Sequence, residues 1–260
     1  MKKLLISGSI IALALPVAAH AQDKESGPYI GVSGGLVLPG ESDNSGEFDT
    51  TVPATDDWPE IPAGTELGWE TEFDDGYSIS GQIGYAFENG LRTELEGSFT
   101  KYDVDSHSEL TVGGTDIDAL DVAVLTRAAP DAANPTVGAV IADGQGSVKN
   151  FGLFGNVFYD IQTGSAFKPY VGAGVGYQWV DAEFAPSGVD VADDDDGAFS
   201  YQLMAGAGFA VTESVDLFAQ YTYRDTFEDA EVPLNLLPAT LGVESQQSIL
   251  SAGIRFRFGG

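Results

Sequence analysis

The sequence predicts an all-β fold, an eight-stranded antiparallel up-and-down barrel that crosses a membrane on its strands. Three observations predict it. Eight segments alternate apolar with small or polar residues at the period of two that sets successive side chains on opposite faces of a strand. The connections between them run long, short, long, short, long, short, long, the asymmetry expected of short periplasmic turns and long extracellular loops. Each segment is about 10 to 15 residues, enough for the roughly 9 to 11 that a tilted membrane strand needs.

The chain opens on Lys2 and Lys3, an apolar run from Leu4 to Leu15 and an Ala19-His20-Ala21 cleavage site, which together read as a secretory signal peptide over residues 1–21. The run is too short for a spanning helix, which needs about 20 apolar residues. Residues 22–27 are expected as a short periplasmic segment, and residues 28–258 as a single barrel domain. Losing Lys2 and Lys3 with the leader takes the net charge from −29 to −31. Nucleic acid is therefore not an expected partner. With no cysteine in the chain, thiol catalysis and thiolate metal sites are excluded, and no cofactor is expected.

Pro28 to Leu38 is the first strand, with Ile30, Val32, Leu36 and Leu38 set against Ser33 and Gly35. Residues 39–76 hold twelve acidic residues and no basic one. Pro53, Pro59 and Pro62 break any strand there, so a long polar loop with little order is expected. Tyr77 to Phe87 alternates cleanly, and the hairpin Glu88-Asn89-Gly90 returns the chain into Leu91 to Tyr102. Residues 103–146 are a second long connection, in which part of Ala119 to Ala129 reads as a short helix or a strand extension. Ser147 to Ile161 and Lys168 to Asp181 form the next pair around a tight turn. A third acidic loop, 182–196, leads to Ala198 to Val211. Thr212-Glu213-Ser214 turns into Val215 to Thr226, a fourth loop covers 227–245, and Gln246 to Phe258 is the last strand.

Aromatic residues fall at both ends of the strands, as two interfacial belts require. Tyr77, Phe99, Tyr102, Trp179, Phe199 and Tyr223 lie beside the long loops. Phe87, Tyr159, Phe209, Phe256 and Phe258 lie beside the short turns.

The final strand resembles the C-terminal insertion signal of bacterial outer-membrane barrels, with Ser251, Gly253, Phe256 and Phe258 at its four defining positions. Further stretches, GLRTELEGSF (Gly90 to Phe99), KPYVGAGVGY (Lys168 to Tyr177), AGAGF (Ala205 to Phe209) and the terminal GIRFRF, resemble the small outer-membrane β-barrel family of alphaproteobacteria. That family is related to opacity proteins, major surface proteins and the OmpA-type transmembrane domain. The resemblance spans the strands and not the loops. It implies a location in the Gram-negative outer membrane, contact with lipid and lipopolysaccharide, and assembly by the barrel-insertion machinery. A monomer without a periplasmic peptidoglycan-binding domain is expected.

Three places are candidates for function. The first is the lumen. Arg92, Glu94, Glu96, Asp216, Arg224, Arg255 and Arg257 all fall on the inward parity, and charges in a narrow interior need partners to offset desolvation. An interior ion-pair network follows, which either holds the barrel closed or lines a narrow ion path; eight strands leave an interior just wide enough for side chains. Gly172, Gly174 and Gly176 face the same way and leave room for Phe154 or Phe218, or for a small ligand. The second place is the loops, which together with the flanking Asp181 and Asp225 carry 32 of the 40 acidic residues and so read as a surface for interaction. Asp193, Asp194, Asp195 and Asp196 form a solvated, mutually repelling run, or a weak Ca²⁺ or Mg²⁺ site bridging to lipopolysaccharide phosphates. The third is His107, the one histidine beyond the leader, flanked by Asp105, Ser106 and Ser108. Neighbours in sequence rarely converge into a catalytic triad, so no catalysis is expected. The reading is a structural and surface-interaction protein of the cell envelope, serving integrity or adhesion, with a narrow porin-like channel as the alternative.

Overall fold

A computed structural model describes residues 26–142, 144–185, 192–228, 230–234, 237–243 and 245–258; for residues 192–196, 230, 232 and 243 it describes the backbone only. The leader and Gly259-Gly260 lie outside the described residues. In chain order the strands are β1 (Gly27–Pro39), β2 (Ser42–Phe48), β3 (Glu66–Phe73), β4 (Gly76–Ala86), β5 (Leu91–Val112), β6 (Thr115–Asp116), β7 (Gly146–Asp160) and β8 (Phe167–Phe184). They continue as β9 (Ala192–Ala210), β10 (Val215–Thr226), β11 (Ala230–Pro233), β12 (Ala239–Val243) and β13 (Gln247–Arg257). Two short helices, α1 (Ala123–Thr126) and α2 (Val137–Ile141), lie between β6 and β7.

Eight of the strands close a ring in which every neighbour is antiparallel: β1, β4, β5, β7, β8, β9, β10 and β13. Closure is made by β1 on β13, from Tyr29 opposite Arg257 to Pro39 opposite Gln247. No edge of the ring is left open, as lipid demands. These are the eight strands read from the alternation. The faces are sorted as expected: Val32, Ile83 and Phe199 are 57, 66 and 69% exposed, while Tyr29, Gln82 and Gln202 point inward and are buried. A continuous apolar belt of this kind is far larger than the few hundred Å² that soluble monomers expose, and it is the surface that meets lipid. Rings gather at its long-loop border, where Tyr177 packs edge-on against Trp179 and Phe199 at 5.0 and 5.2 Å. Tyr85 and Phe87, 5.0 Å apart, mark the other border. Tyr102 departs from the expected belt. It lies inward, 2% exposed, against Phe73 at 5.1 Å, because it shares parity with Arg92 and Glu94, not with Phe99.

The long connections hold more order than their composition suggests. β2 and β3 form a hairpin inside residues 39–76, and β5 runs on past the barrel to Val112, pairing there with β3. From β3 the sheet continues through β2 and β12 to β11. The expectation of a largely unordered first loop is thus corrected. SDNSGEF and ELGWETEF are poor in strand-forming residues, and their pairing comes from partners distant in sequence. β5 turns this corner at a bulge: Gly68 faces Thr111 while Glu70 faces Ser108. Glu109 in the bulge takes the left-handed conformation with φ of 56°, and the Asp118 carboxylate accepts from the Glu109 and Leu110 amides at 3.1 and 3.0 Å. The segment read as helix or strand extension contains α1. Arg127, which caps the C-terminus of α1 and is the single Lys or Arg in residues 39–76 and 103–146, donates to the carbonyls of Pro53 and Pro59 and ties the first loop onto the second.

The result is a cap seated on the barrel. Phe48, Leu67, Leu110, Val137, Ile141 and Leu241 are buried in its core. A second apolar cluster, including Val37, Tyr102, Val148, Val180 and Ile249, closes the top of the lumen, and Trp69 and Leu234 pack against both.

Candidate functional site

The lumen carries the densest set of polar side chains, and its order follows from strand parity and register. At the short-turn mouth Arg257 Nη2 lies 2.8 Å from Asp216 Oδ1, on strands β13 and β10. Arg92 Nε meets Asp160 Oδ2 at 2.8 Å, and its Nη1 lies 3.8 Å from Glu94 Oε2. Tyr29 joins them: its hydroxyl donates to Glu94 Oε2 at 2.8 Å and accepts from Arg92 Nη1 at 3.1 Å. The Arg92 guanidinium lies over the Phe158 ring at 4.3 Å, an arrangement that stabilises a desolvated cation.

Deeper in, Arg224 crosses the lumen. Its Nη2 lies 3.0 Å from Glu96 Oε1, its Nη1 donates to Ser98 Oγ at 3.0 Å, and Nε and Nη2 reach Gln202 Oε1 at 3.0 and 2.8 Å. Phe154 supports the guanidinium face at 4.3 Å. Asn156 and Gln202 complete the shell of Glu96 by donating to Oε2 at 2.9 and 3.2 Å. Above this layer, Gln247, Thr100 and Asn150 hydrogen-bond across the barrel, and the apolar cluster closes the top.

Of the seven charges placed in the lumen from sequence, six form ion pairs. Arg255 is the exception. Among the described residues no carboxylate lies within ion-pair distance of it, and its guanidinium sits between the rings of Tyr29 and Phe218 at 5.0 and 4.9 Å. Aromatic faces take the place of a counter-ion there. Sequence reasoning did not name Asp160, Tyr29, Asn156 or Gln202. Tyr29 and the amides stood on the inward parity of their strands and could have been found by asking which polar groups reach the charges.

Phe154, Gln178, Gln202 and Gln247 have no measurable exposure and Arg224 has 2%. Side chains lining an open aqueous path keep contact with water; these do not. The mouth itself is a cavity of about 140 Å³. The glycines of β8 make this filling possible: a Cβ on Gly172 would lie 2.7 Å from Phe158 Cε1, and one on Gly176 2.6 Å from Phe154 Cδ1. Phe218, the other ring expected there, sits instead against Gly253, where a Cβ would meet its Cζ at 2.5 Å.

Residues 7–256 match the family model described as the outer membrane protein beta-barrel domain. The chain belongs to this family. As an outer-membrane barrel it is placed in the outer membrane of a Gram-negative envelope. It is 27% identical over 233 residues to a curated "Outer membrane protein" of Gluconacetobacter diazotrophicus, covering 85% of this chain and 52% of that one, so it spans about half the length of that relative. Among solved structures it is similar to the outer membrane protein OprG of Pseudomonas aeruginosa, with a TM-score of 0.60 at 14% identity, covering 93% of this chain and all of that one. Neisserial surface protein A gives a TM-score of 0.46 at 19% identity over 90% of this chain and 98% of the other.

The remaining sequence candidates of this outer-membrane barrel fall outside the lumen network. His107 is 4% exposed on upper β5, between the rings of Trp69 and Phe184 at 6.2 and 5.2 Å. Its Nδ1 lies 2.8 Å from Thr71 Oγ1. That hydroxyl already accepts from Asn44 Nδ2 at 2.7 Å and Trp69 Nε1 at 3.2 Å, so its own proton goes to Nδ1, and a neutral imidazole carries its hydrogen on Nε2. Ser106 and Ser108 lie on the opposite parity of the strand. In β13, Ser251 and Gly253 face inward, while Phe256 and, just past the strand, Phe258 are 39 and 51% exposed on the lipid side. Asp193 to Asp196 lie in the backbone of β9 and pair with β8; their side chains lie outside the described residues.

Proposed function

We propose that this outer-membrane barrel is a structural and surface-interaction protein, closed to solutes, with its cap facing outside the cell and its short turns facing the periplasm. The observation that carries the reading is the filled lumen. The Arg224–Glu96 layer and the apolar cluster above it occupy the cross-section that a channel needs open. The cap supports the second half of the reading, since a folded sheet with its own core presents a fixed, acidic surface to a partner. Lipid and lipopolysaccharide surround the apolar belt, the barrel-insertion machinery assembles it, and it acts as a monomer. It is not an enzyme: His107, the histidine a hydrolase would use, is packed between rings and bound to a threonine.

The test is single-channel recording of the refolded chain in a planar bilayer. No stable conductance steps are expected. Steps from the unaltered chain that disappear on Arg224→Ala would overturn the closed-lumen reading. A deletion strain with unchanged detergent sensitivity and unchanged surface attachment would overturn the envelope role.

A further inference from the structure

The cap holds a pocket of about 350 Å³ that is partly open to solvent, separate from the lumen. Protein interiors are packed to crystal density and rarely keep voids larger than a water molecule, whereas ligand pockets begin near 300 Å³. Its wall is almost wholly hydrocarbon: Leu67 and Trp69 of β3, Leu110 of β5, Ala123 and Leu125 of α1, and Ile141 of α2. Three polar atoms of that wall are engaged elsewhere. Trp69 Nε1 and His107 Nδ1 both bind Thr71 Oγ1, and Asn134 Nδ2 donates to Asp121 at 3.0 Å. Apolar pockets of this size take up small apolar molecules.

The cavity is blind. Trp69, Phe184 and Leu234, which line it, pack onto the apolar cluster that closes the lumen, so nothing entering it continues through the barrel. Its surroundings select by charge as well. The connection 103–146 that forms one wall carries eight acidic residues against one basic residue, Arg127, so an anionic ligand is repelled while a neutral one is not.

We propose that the cap is a binding site for a small, neutral, largely hydrocarbon molecule of the size of one to three aromatic rings. The site does not rest on the closed-lumen reading, because a conducting lumen would leave the cavity as it is.

The experiment uses the refolded full chain in phosphatidylcholine vesicles, photolabelled with the neutral probe 3-trifluoromethyl-3-phenyldiazirine and mapped by mass spectrometry. Probe dissolved in lipid labels the outward faces of the strands in proportion to its concentration. The cap is expected to add a saturable component around Leu67, Leu110 and Leu125. N-phenyl-1-naphthylamine should displace it, and its sulfonated analogue 8-anilino-1-naphthalenesulfonate should do so at least about tenfold less well. Ala123→Phe, which fills the cavity, and Leu125→Trp, which obstructs it, should each remove the saturable component. Heat-modifiable gel migration checks that the barrel is folded in both variants. Cap labelling that is absent or linear in probe, saturable labelling that survives both variants, or equal displacement by the sulfonate would overturn the proposal.

Discussion

Replacing Arg224 by methionine tests what the filled lumen contributes. Methionine keeps much of the stem but removes the guanidinium. The Glu96 carboxylate, 7% exposed, then loses its cation at 3.0 Å and keeps only the Asn156 and Gln202 amides as donors. Removing one partner of a buried pair destabilises by about 3 to 5 kcal/mol, because the charge left behind stays desolvated. The acceptors on Gln202 and Ser98 lose their donors in the same step, and that loss overlaps with the first figure. A change of this size lowers the folded-to-unfolded ratio roughly a hundredfold to several thousandfold. Lys149→Met is the control: Lys149 and Asp181 are 3.4 Å apart with side chains 39 and 52% exposed, and such pairs contribute about 0 to 1 kcal/mol. Urea unfolding of the refolded barrel in vesicles, extrapolated linearly to water, measures both. A double variant, Arg224→Met with Glu96→Leu, should recover part of the loss but not all, because Gln202 Oε1 and Ser98 Oγ still lack the donor that Arg224 supplied. The reasoning fails if Arg224→Met falls within about 1 kcal/mol of Lys149→Met, or if the double variant is no more stable than the single.

Three further outcomes follow from other regions. Gly172→Ala drives a Cβ into the Phe158 ring, so it should destabilise by about 1 to 3 kcal/mol, and Phe158→Leu in the same chain should restore only part of that in the same assay, because the ring face over which Arg92 lies is lost with it. Thr71→Val removes the hydroxyl shared by Asn44, Trp69 and His107. Amide exchange in β2 and β3 should quicken by the equivalent of about 1 to 3 kcal/mol while heat-modifiable migration of the barrel is unchanged. The Glu70 carboxyl is held above its ordinary value of 4.5, first by Glu109, then by slight desolvation and by Asp43, Glu41 and Glu72. A raised carboxylate binds more protons folded than unfolded. The cap should therefore grow firmer as pH falls from neutral towards about 4.5 and lose this contribution as pH rises through the folded value. Asp121 works the other way: the Ala123 amide, Asn134 and the Asp131 amide hold it below 3.8, so its contribution is lost only in stronger acid. Glu109→Gly should flatten the neutral side of that profile and, by relieving a left-handed non-glycine residue, add about 1 kcal/mol to the cap as read by exchange of β3 amides.

The barrel was legible because each of its strands meets two solvents of opposite character, lipid outside and a polar lumen inside. Tyr77 to Phe87 shows this clearly, since every second side chain is Tyr, Ile or Phe except at Gly81. Inward parity placed Glu96 and Arg224 in the same lumen although they lie 128 residues apart, but their pairing depends on strand register and depth, which parity does not carry. Parity could not find the neutral counterpart of a charge, and Arg255 between two rings is the case in point. The cap was not legible for a related reason. β2 and β12 pair across nearly two hundred residues, Ser45 opposite Gly242, and neither carries a periodic signal of its own. Their apolar contribution is a few residues such as Phe48 and Leu241, too sparse to read in a stretch dominated by acidic and glycine residues. Asp118, which fixes the bulge at Glu109, is in sequence one aspartate among many.

β5 has 22 residues, which at about 3.3 Å each spans some 70 Å. Its lower half is bonded into the barrel wall between β4 and β7, and its upper half is bonded into the cap through β3. A load applied to the cap by anything it holds would therefore run down one unbroken peptide backbone into the wall. There it would act along the strand axis and be shared by thirteen residue pairings with β7, so the ladder would be sheared as a whole instead of being opened one bond at a time. In mechanical terms the cap is a rigid post set into its foundation, and the bulge at Glu109 is the place where that post would first bend.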